Sequence, residues 1–84
     1  MALIATFYSH YGAMSFRRLC RERGVACELM PVPRTISSSC GTCARFDRSP
    51  LHEGEEWSED IELVVQETGP EGPPYRELHR SEDY

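Results

Sequence analysis

Two prolines one residue apart, in Pro31-Val32-Pro33-Arg34, constrain this chain more than any other stretch. Neither can donate a backbone amide, so the apolar run before them, Val25-Ala26-Cys27-Glu28-Leu29-Met30, cannot continue as a central sheet ladder. The chain must leave the sheet there, and it passes directly into the loop Ser37-Ser38-Ser39-Cys40-Gly41-Thr42-Cys43. A cysteine loop therefore begins at a strand end.

The run before the prolines reads as the second strand. A first strand is expected over residues 2–8, a short apolar and β-favouring run. Between them, Ser9 supplies a helix cap, and Ala13, Phe16, Leu19 and Cys20 recur at helical spacing with Arg17, Arg18 and Arg21 on the other side. Gly24 ends that helix. A helical crossover between two strands predicts a parallel, right-handed βαβ unit. Ala44-Arg45-Phe46 gives a short third strand. Trp57, Ile61, Val64, Val65 and Thr68 fit helical spacing, predicting a second helix over residues 55–67 that Gly69-Pro70 stops. Tyr75-Arg76-Glu77-Leu78-His79 comes after the loop over residues 69–74 as a last edge strand. The expected fold class is α+β: a two-layer, ferredoxin-like βαββαβ sandwich, a small mixed sheet with two helices on one face. A three-stranded α+β variant stays open. With 84 residues there is room for one modest core, so residues 1–84 are expected to form a single domain.

Charge narrows the partners. Residues 1–52 carry seven arginines against three acids, +4, and residues 53–84 carry two arginines against eleven acids, −9, for a net charge of −5. No basic stripe interleaved with aromatics rises above this local excess, which argues against nucleic acid as a partner. Pairing between the two halves is one use of the asymmetry; a basic rim that holds an anionic group near Cys40 is the other. The opening residues have no basic leader and no span of membrane length, so a cytoplasmic location with no membrane partner is expected. In that reducing compartment four cysteines point to free thiols, metal binding or redox chemistry rather than a disulfide framework.

Only the thiolate of a cysteine is a good nucleophile. Around Cys40, the hydroxyls of Ser37, Ser38 and Ser39 and the loop amides can donate hydrogen bonds, and Arg34 and Arg45 lie close in sequence to add positive charge. Gly41 allows a tight turn and close approach by a reactant. Competing readings of Cys40-Gly41-Thr42-Cys43 are an inert surface pair, a dithiol redox pair and half of a zinc site. A redox pair normally opens a helix, whereas Thr42-Cys43-Ala44-Arg45-Phe46 looks extended. A zinc site needs a second close pair, but Cys20 and Cys27 fall at core positions of a helix and a strand, so no metal ligand and no cofactor is assigned. His10, at the helix start, is either a surface residue or a group facing Cys40.

Three segments, Thr6-Phe7-Tyr8-Ser9-His10-Tyr11-Gly12-Ala13, Leu29-Met30-Pro31-Val32-Pro33-Arg34 and Ile36-Ser37-Ser38-Ser39-Cys40-Gly41, together resemble the selenium/sulfur carrier protein-like family of small bacterial proteins. The resemblance implies a carrier more than a turnover enzyme. It also implies that Cys40 would hold transferable sulfur or selenium as a persulfide or selenopersulfide. The loop chemistry itself suggests Cys43 as a resolving or second acceptor thiol and Arg34, Arg45, Ser38, Ser39, Gly41 and His10 in support, and the expected partners are a donor of the cysteine desulfurase or selenocysteine lyase type and an acceptor protein. A protein-binding adaptor module, or a small zinc or redox thiol protein, is the alternative function.

Overall fold

The structure is a computed structural model that describes residues 2–69, 72 and 74–81. Among these residues five strands and one helix occur in the order β1 (Leu3–Phe7), α1 (His10–Glu22), β2 (Cys27–Pro31), β3 (Thr42–Phe46), β4 (Ile61–Glu67) and β5 (Tyr75–Arg80). The strands form one sheet in the order β2-β3-β1-β4-β5, and each neighbouring pair is antiparallel.

This corrects the ferredoxin-like βαββαβ expectation, with its two helices. Residues 55–60 are loop and turn, and Ile61–Glu67 is a strand. The helical spacing of Trp57, Ile61, Val64 and Val65 is a coincidence of a strand buried on both sides: Ile61 and Val64 pack on the helix side, and Leu63 and Val65 on the other. A register shift opposite Thr6 and Phe7 inserts an extra residue at Glu62 and breaks the two-residue alternation. The β-branched side chains of Ile61, Val64 and Val65 are suited to that extended backbone. The parallel βαβ unit is also modified. β1 and β2 point the same way, because both run antiparallel to β3, but β3 lies between them. Of the loop expected over residues 69–74, Pro70, Glu71 and Pro73 lie outside the described residues.

β1 is central and buried at all five positions, which explains why its sequence is apolar without alternation. α1 is stopped at both ends by local chemistry. Ser9 adopts extended φ/ψ of −148° and 163°, and its Oγ accepts the Gly12 N–H at 3.4 Å. At the other end Gly24 takes φ of 70°, with Val25 N–H donating to Cys20 O at 2.8 Å and Gly24 N–H to Arg21 O at 3.3 Å, the paired bonds of a Schellman cap. The helix presses Ala13, Phe16 and Cys20 onto Leu3, Ala5, Phe7, Ala44 and Phe46. Phe16 meets Phe46 edge-on at a ring separation of 4.9 Å, and Trp57 from the 51–60 loop closes the group. Among the described residues no helix is long and apolar enough to cross a membrane.

Among the described residues the opposite sheet face has no helix. Ile4, Cys43, Leu63 and Val65 form a second apolar cluster there, and its remaining buried member is Ile36, from the loop between β2 and β3. That loop closes at its base through Val32 N–H to Gly41 O at 3.1 Å and turns through Ile36 N–H to Pro33 O at 3.0 Å. It folds back over the sheet with one apolar side chain as its anchor.

Candidate functional site

Strand direction decides where the cysteine loop sits. β1, β2 and β5 share one direction, so their carboxyl ends meet at one rim, together with the starting ends of β3 and β4. The register agrees: Pro31 pairs with Thr42, Thr6 with Cys43, Phe7 with Ile61, and Leu63 with Arg80. Cys40 lies two residues before β3, half-buried on this rim, and the start of α1 adjoins it through Tyr8 and Ser9.

The loop backbone around Cys40 is held on both sides. Cys40 N–H donates to Ser38 Oγ at 3.2 Å. Ser39 is clamped by the carboxylate of Glu62, with its N–H donating to Oε1 at 3.1 Å and its hydroxyl to Oε2 at 2.7 Å. Glu62 Oε1 also accepts the Thr6 hydroxyl at 3.4 Å, which connects the loop to the central strand. The serines thus fix the backbone, with the Ser39 hydroxyl committed to Glu62. Glu62 escapes a reading of the sequence because helical spacing puts it on a solvent face, and no local motif pairs it with a serine 23 residues earlier. Glu62 and Ser39 line a cavity of about 310 Å³ with Tyr8, Arg80 and Ser81.

The remaining site candidates divide by position. Gly41 is exposed, and a Cβ built on it would meet nothing within 4 Å, so the surface beside Cys40 is open. Arg34 is exposed on the same loop and enters no ion pair among the described residues. Arg45 is not brought to Cys40. It lies three residues into β3, about 10 Å along the strand, and is bound to Glu67 at 2.9 Å towards the opposite rim. His10 is exposed at the first position of α1, with no hydrogen bond to the loop among the described residues.

The Cys-x-x-Cys spacing separates its two thiols into different environments. Cys43 is fully buried in the second cluster, its Sγ 3.7 Å from Pro31 O, and burial pushes its thiol up to about 11. Cys20 is buried under α1 and pushed up to about 12 by burial and then by neighbouring Cys27; burial also raises half-buried Cys27. All four cysteines are free thiols. Among the described residues no group of three or more His, Cys, Asp or Glu side chains is arranged to hold a metal ion.

No curated protein and no solved structure matches the chain. A family model described as "Putative Se/S carrier protein-like" matches residues 2–68, a span that runs from β1 to the end of β4 and includes the whole cysteine loop. The chain belongs to this Se/S carrier protein-like family.

Proposed function

We propose that the chain carries sulfur or selenium on Cys40 and passes it between protein partners. The observation that carries this reading is the contrast among the thiols. Cys20 and Cys43 are buried and their ionisation is suppressed, whereas Cys40 is set off the sheet in a loop whose backbone is pinned at Ser38 and Ser39 and whose next residue, Gly41, is open. A carrier thiol has to be met by two partners in turn, so a held, half-buried position beside an open residue suits it.

The chemistry is a thiol exchange that needs no external oxidant. The Cys40 thiolate attacks the terminal sulfur of a donor persulfide, R–S–SH. A bond forms between Cys40 Sγ and that sulfur as the donor's own S–S bond breaks. The donor leaves as the thiolate R–S⁻, which takes up a proton, and Cys40 is left as Cys40–S–SH. An acceptor thiolate reverses the same steps at the far side of the cycle, and a selenopersulfide takes the same course with selenium as the terminal atom. Arg34, exposed on the loop without an ion pair among the described residues, is the cation available to the anionic terminal atom. Glu62 acts on the loop, through Ser39, as a positioning residue. Cys43 remains beneath the loop as a core residue, and Arg45 stays with Glu67, away from the transfer.

Intact-mass measurement after incubation with a cysteine desulfurase and L-cysteine tests the proposal. Wild type and Cys43→Ser gain one sulfur that dithiothreitol removes, and Cys40→Ser gains none. Equal gain in Cys40→Ser would overturn it.

A further inference from the structure

Two of the four cysteines have no part in the transfer site, and the fold brings them together. Cys20 sits in the last turn of α1, and Cys27 is the first residue of β2. Between them the chain reverses through Gly24 at φ of 70°, with Val25 N–H bonded to Cys20 O at 2.8 Å. Val25 is buried in the helix-side core, and the two-residue alternation of a strand puts Cys27 and Leu29 on the same sheet face, where both pack against that core. Cys20 is fully buried within it. The two thiols therefore meet beneath the end of the helix, on one side of the sheet.

Each thiol acts on the other. Burial, and then Cys27 through its charge and a hydrogen bond, raises Cys20; burial also raises Cys27, against the hydrogen bond with Cys20 and the charge of Arg17. Sulfurs that share a hydrogen bond need little movement to bond covalently. The pair is also within reach of a small reagent. Cys27 is half-buried and lines a cavity of about 260 Å³ with Ala2, Glu28, Arg45 and Asp47, whereas Cys20 has no exposed surface. The transfer site lies elsewhere. Cys27 pairs with Phe46 and Met30 with Cys43, a step of about 10 Å along the strands, and Cys43 belongs to the cluster on the opposite sheet face.

We propose that Cys20 and Cys27 are a dithiol that hydrogen peroxide closes into an intramolecular disulfide, cross-linking the end of α1 to the start of the edge strand β2. The Cys27 thiolate attacks one peroxide oxygen. The O–O bond breaks, hydroxide leaves and is protonated to water, and Cys27 becomes the sulfenic acid, S–OH. The Cys20 sulfur then attacks the Cys27 sulfur, the S–O bond breaks, and the leaving hydroxide takes the Cys20 proton as a second water. Two thiols lose two electrons and one peroxide is reduced to two waters. The ring closed in this way runs from residue 20 to residue 27 and includes nothing of the Cys40 loop, so the inference stands apart from the carrier reading.

The test exposes the intact, reduced chain to hydrogen peroxide, blocks the remaining thiols with iodoacetamide and digests with trypsin without reduction. Cleavage after Arg18, Arg21, Arg23 and Arg34 leaves Cys20 on residues 19–21 and Cys27 on residues 24–34, separate from the peptide over residues 35–45 that holds Cys40 and Cys43. The expected product is the first two peptides joined, lighter by two hydrogens than their sum and parted by dithiothreitol. In Cys20→Ser, with circular dichroism as the check on folding, Cys27 should instead be trapped by dimedone as the sulfenic acid; in Cys27→Ser, Cys20 should stay reduced. A bond from Cys20 or Cys27 to Cys40 or Cys43 in wild type would overturn the pairing. So would a link between Cys20 and Cys27 that forms only in urea, or two thiols that both remain open to alkylation when the peroxide-treated chain is unfolded.

Discussion

Ile36→Ala should loosen the cysteine loop at a measurable cost in stability. Ile36 is 8% exposed and is the loop's member of the second apolar cluster, against Ile4, Cys43, Leu63 and Val65. The substitution removes three carbon atoms, about 2.4 kcal/mol at the usual value per buried methylene. Because the site is a loop resting on a sheet, the backbone can settle into part of the space, so the total belongs near the low end of the isoleucine-to-alanine range, ~2–3 kcal/mol. For a chain of this size that is a large share of the whole stability, of the order of 4–13 kcal/mol, and corresponds to a fall in melting temperature of roughly 10–20 °C. Denaturant unfolding monitored through Trp57 fluorescence measures the loss. Site-resolved alkylation of Cys40 in the native state measures the loop, and the rate should rise. Leu3→Ala is the control: equally buried, at 8% exposure, but in the helix-side core at the opposite rim. It should cost at least as much stability and leave the native Cys40 rate unchanged. A loss below ~1 kcal/mol for Ile36→Ala, with Cys40 alkylation unaltered, would refute the idea that this side chain anchors the loop.

Gly12→Ala should destabilise although alanine is the better helix former. A Cβ there would stand 2.9 Å from Asp60 Cβ and 3.3 Å from Asp60 O, so the ~1 kcal/mol of helix propensity is outweighed by the forced shift, for a net loss of ~1–2 kcal/mol by thermal or denaturant unfolding. The Arg23 guanidinium, and then the His52 N–H, hold the Glu55 carboxyl at about 2, well below its ordinary 4.5. A carboxyl depressed in the folded state contributes stability above pH 4.5 that is lost as pH falls through about 2. Unfolding midpoints of Glu55→Gln should therefore fall less steeply across that window than those of wild type; parallel curves would contradict the pairing. Cys43 acts in the other direction. Its thiol is raised from 9.0 to about 11, so its contribution is complete below pH 9 and is lost as pH climbs towards 11. Cys43→Ala should flatten the alkaline decline in stability measured by denaturant titration, and an unchanged slope would count against its burial.

The elements set by local contacts are the most legible. Ser9, the spacing of Ala13, Phe16 and Cys20, and Gly24 specify α1 through contacts within a turn or two, and the Pro31-Val32-Pro33 exit is a property of the backbone itself. β4 is not legible, because both of its faces are covered and a bulge interrupts its alternation, leaving a pattern that a helix also satisfies. β3 carries little strand signal in Ala44 and Arg45; its place between β1 and β2 comes from pairing with segments far along the chain. The same division holds for the site. Cys40 and its serines form a local motif, but the Glu62 clamp on Ser39 and the capture of Arg45 by Glu67 both depend on β4 being a strand, so a helical reading of that segment conceals them together.

The most direct measurement is the location of the transferred atom. After loading with a cysteine desulfurase and blocking with iodoacetamide, trypsin cleavage at Arg34 and Arg45 leaves Cys40 and Cys43 on one peptide, residues 35–45, and fragmentation between them distinguishes the two sulfurs. The added sulfur is expected on Cys40, with Cys20, Cys27 and Cys43 unmodified until the chain is unfolded. Sulfur on Cys43 in the folded chain, or on none of the four, would contradict the account.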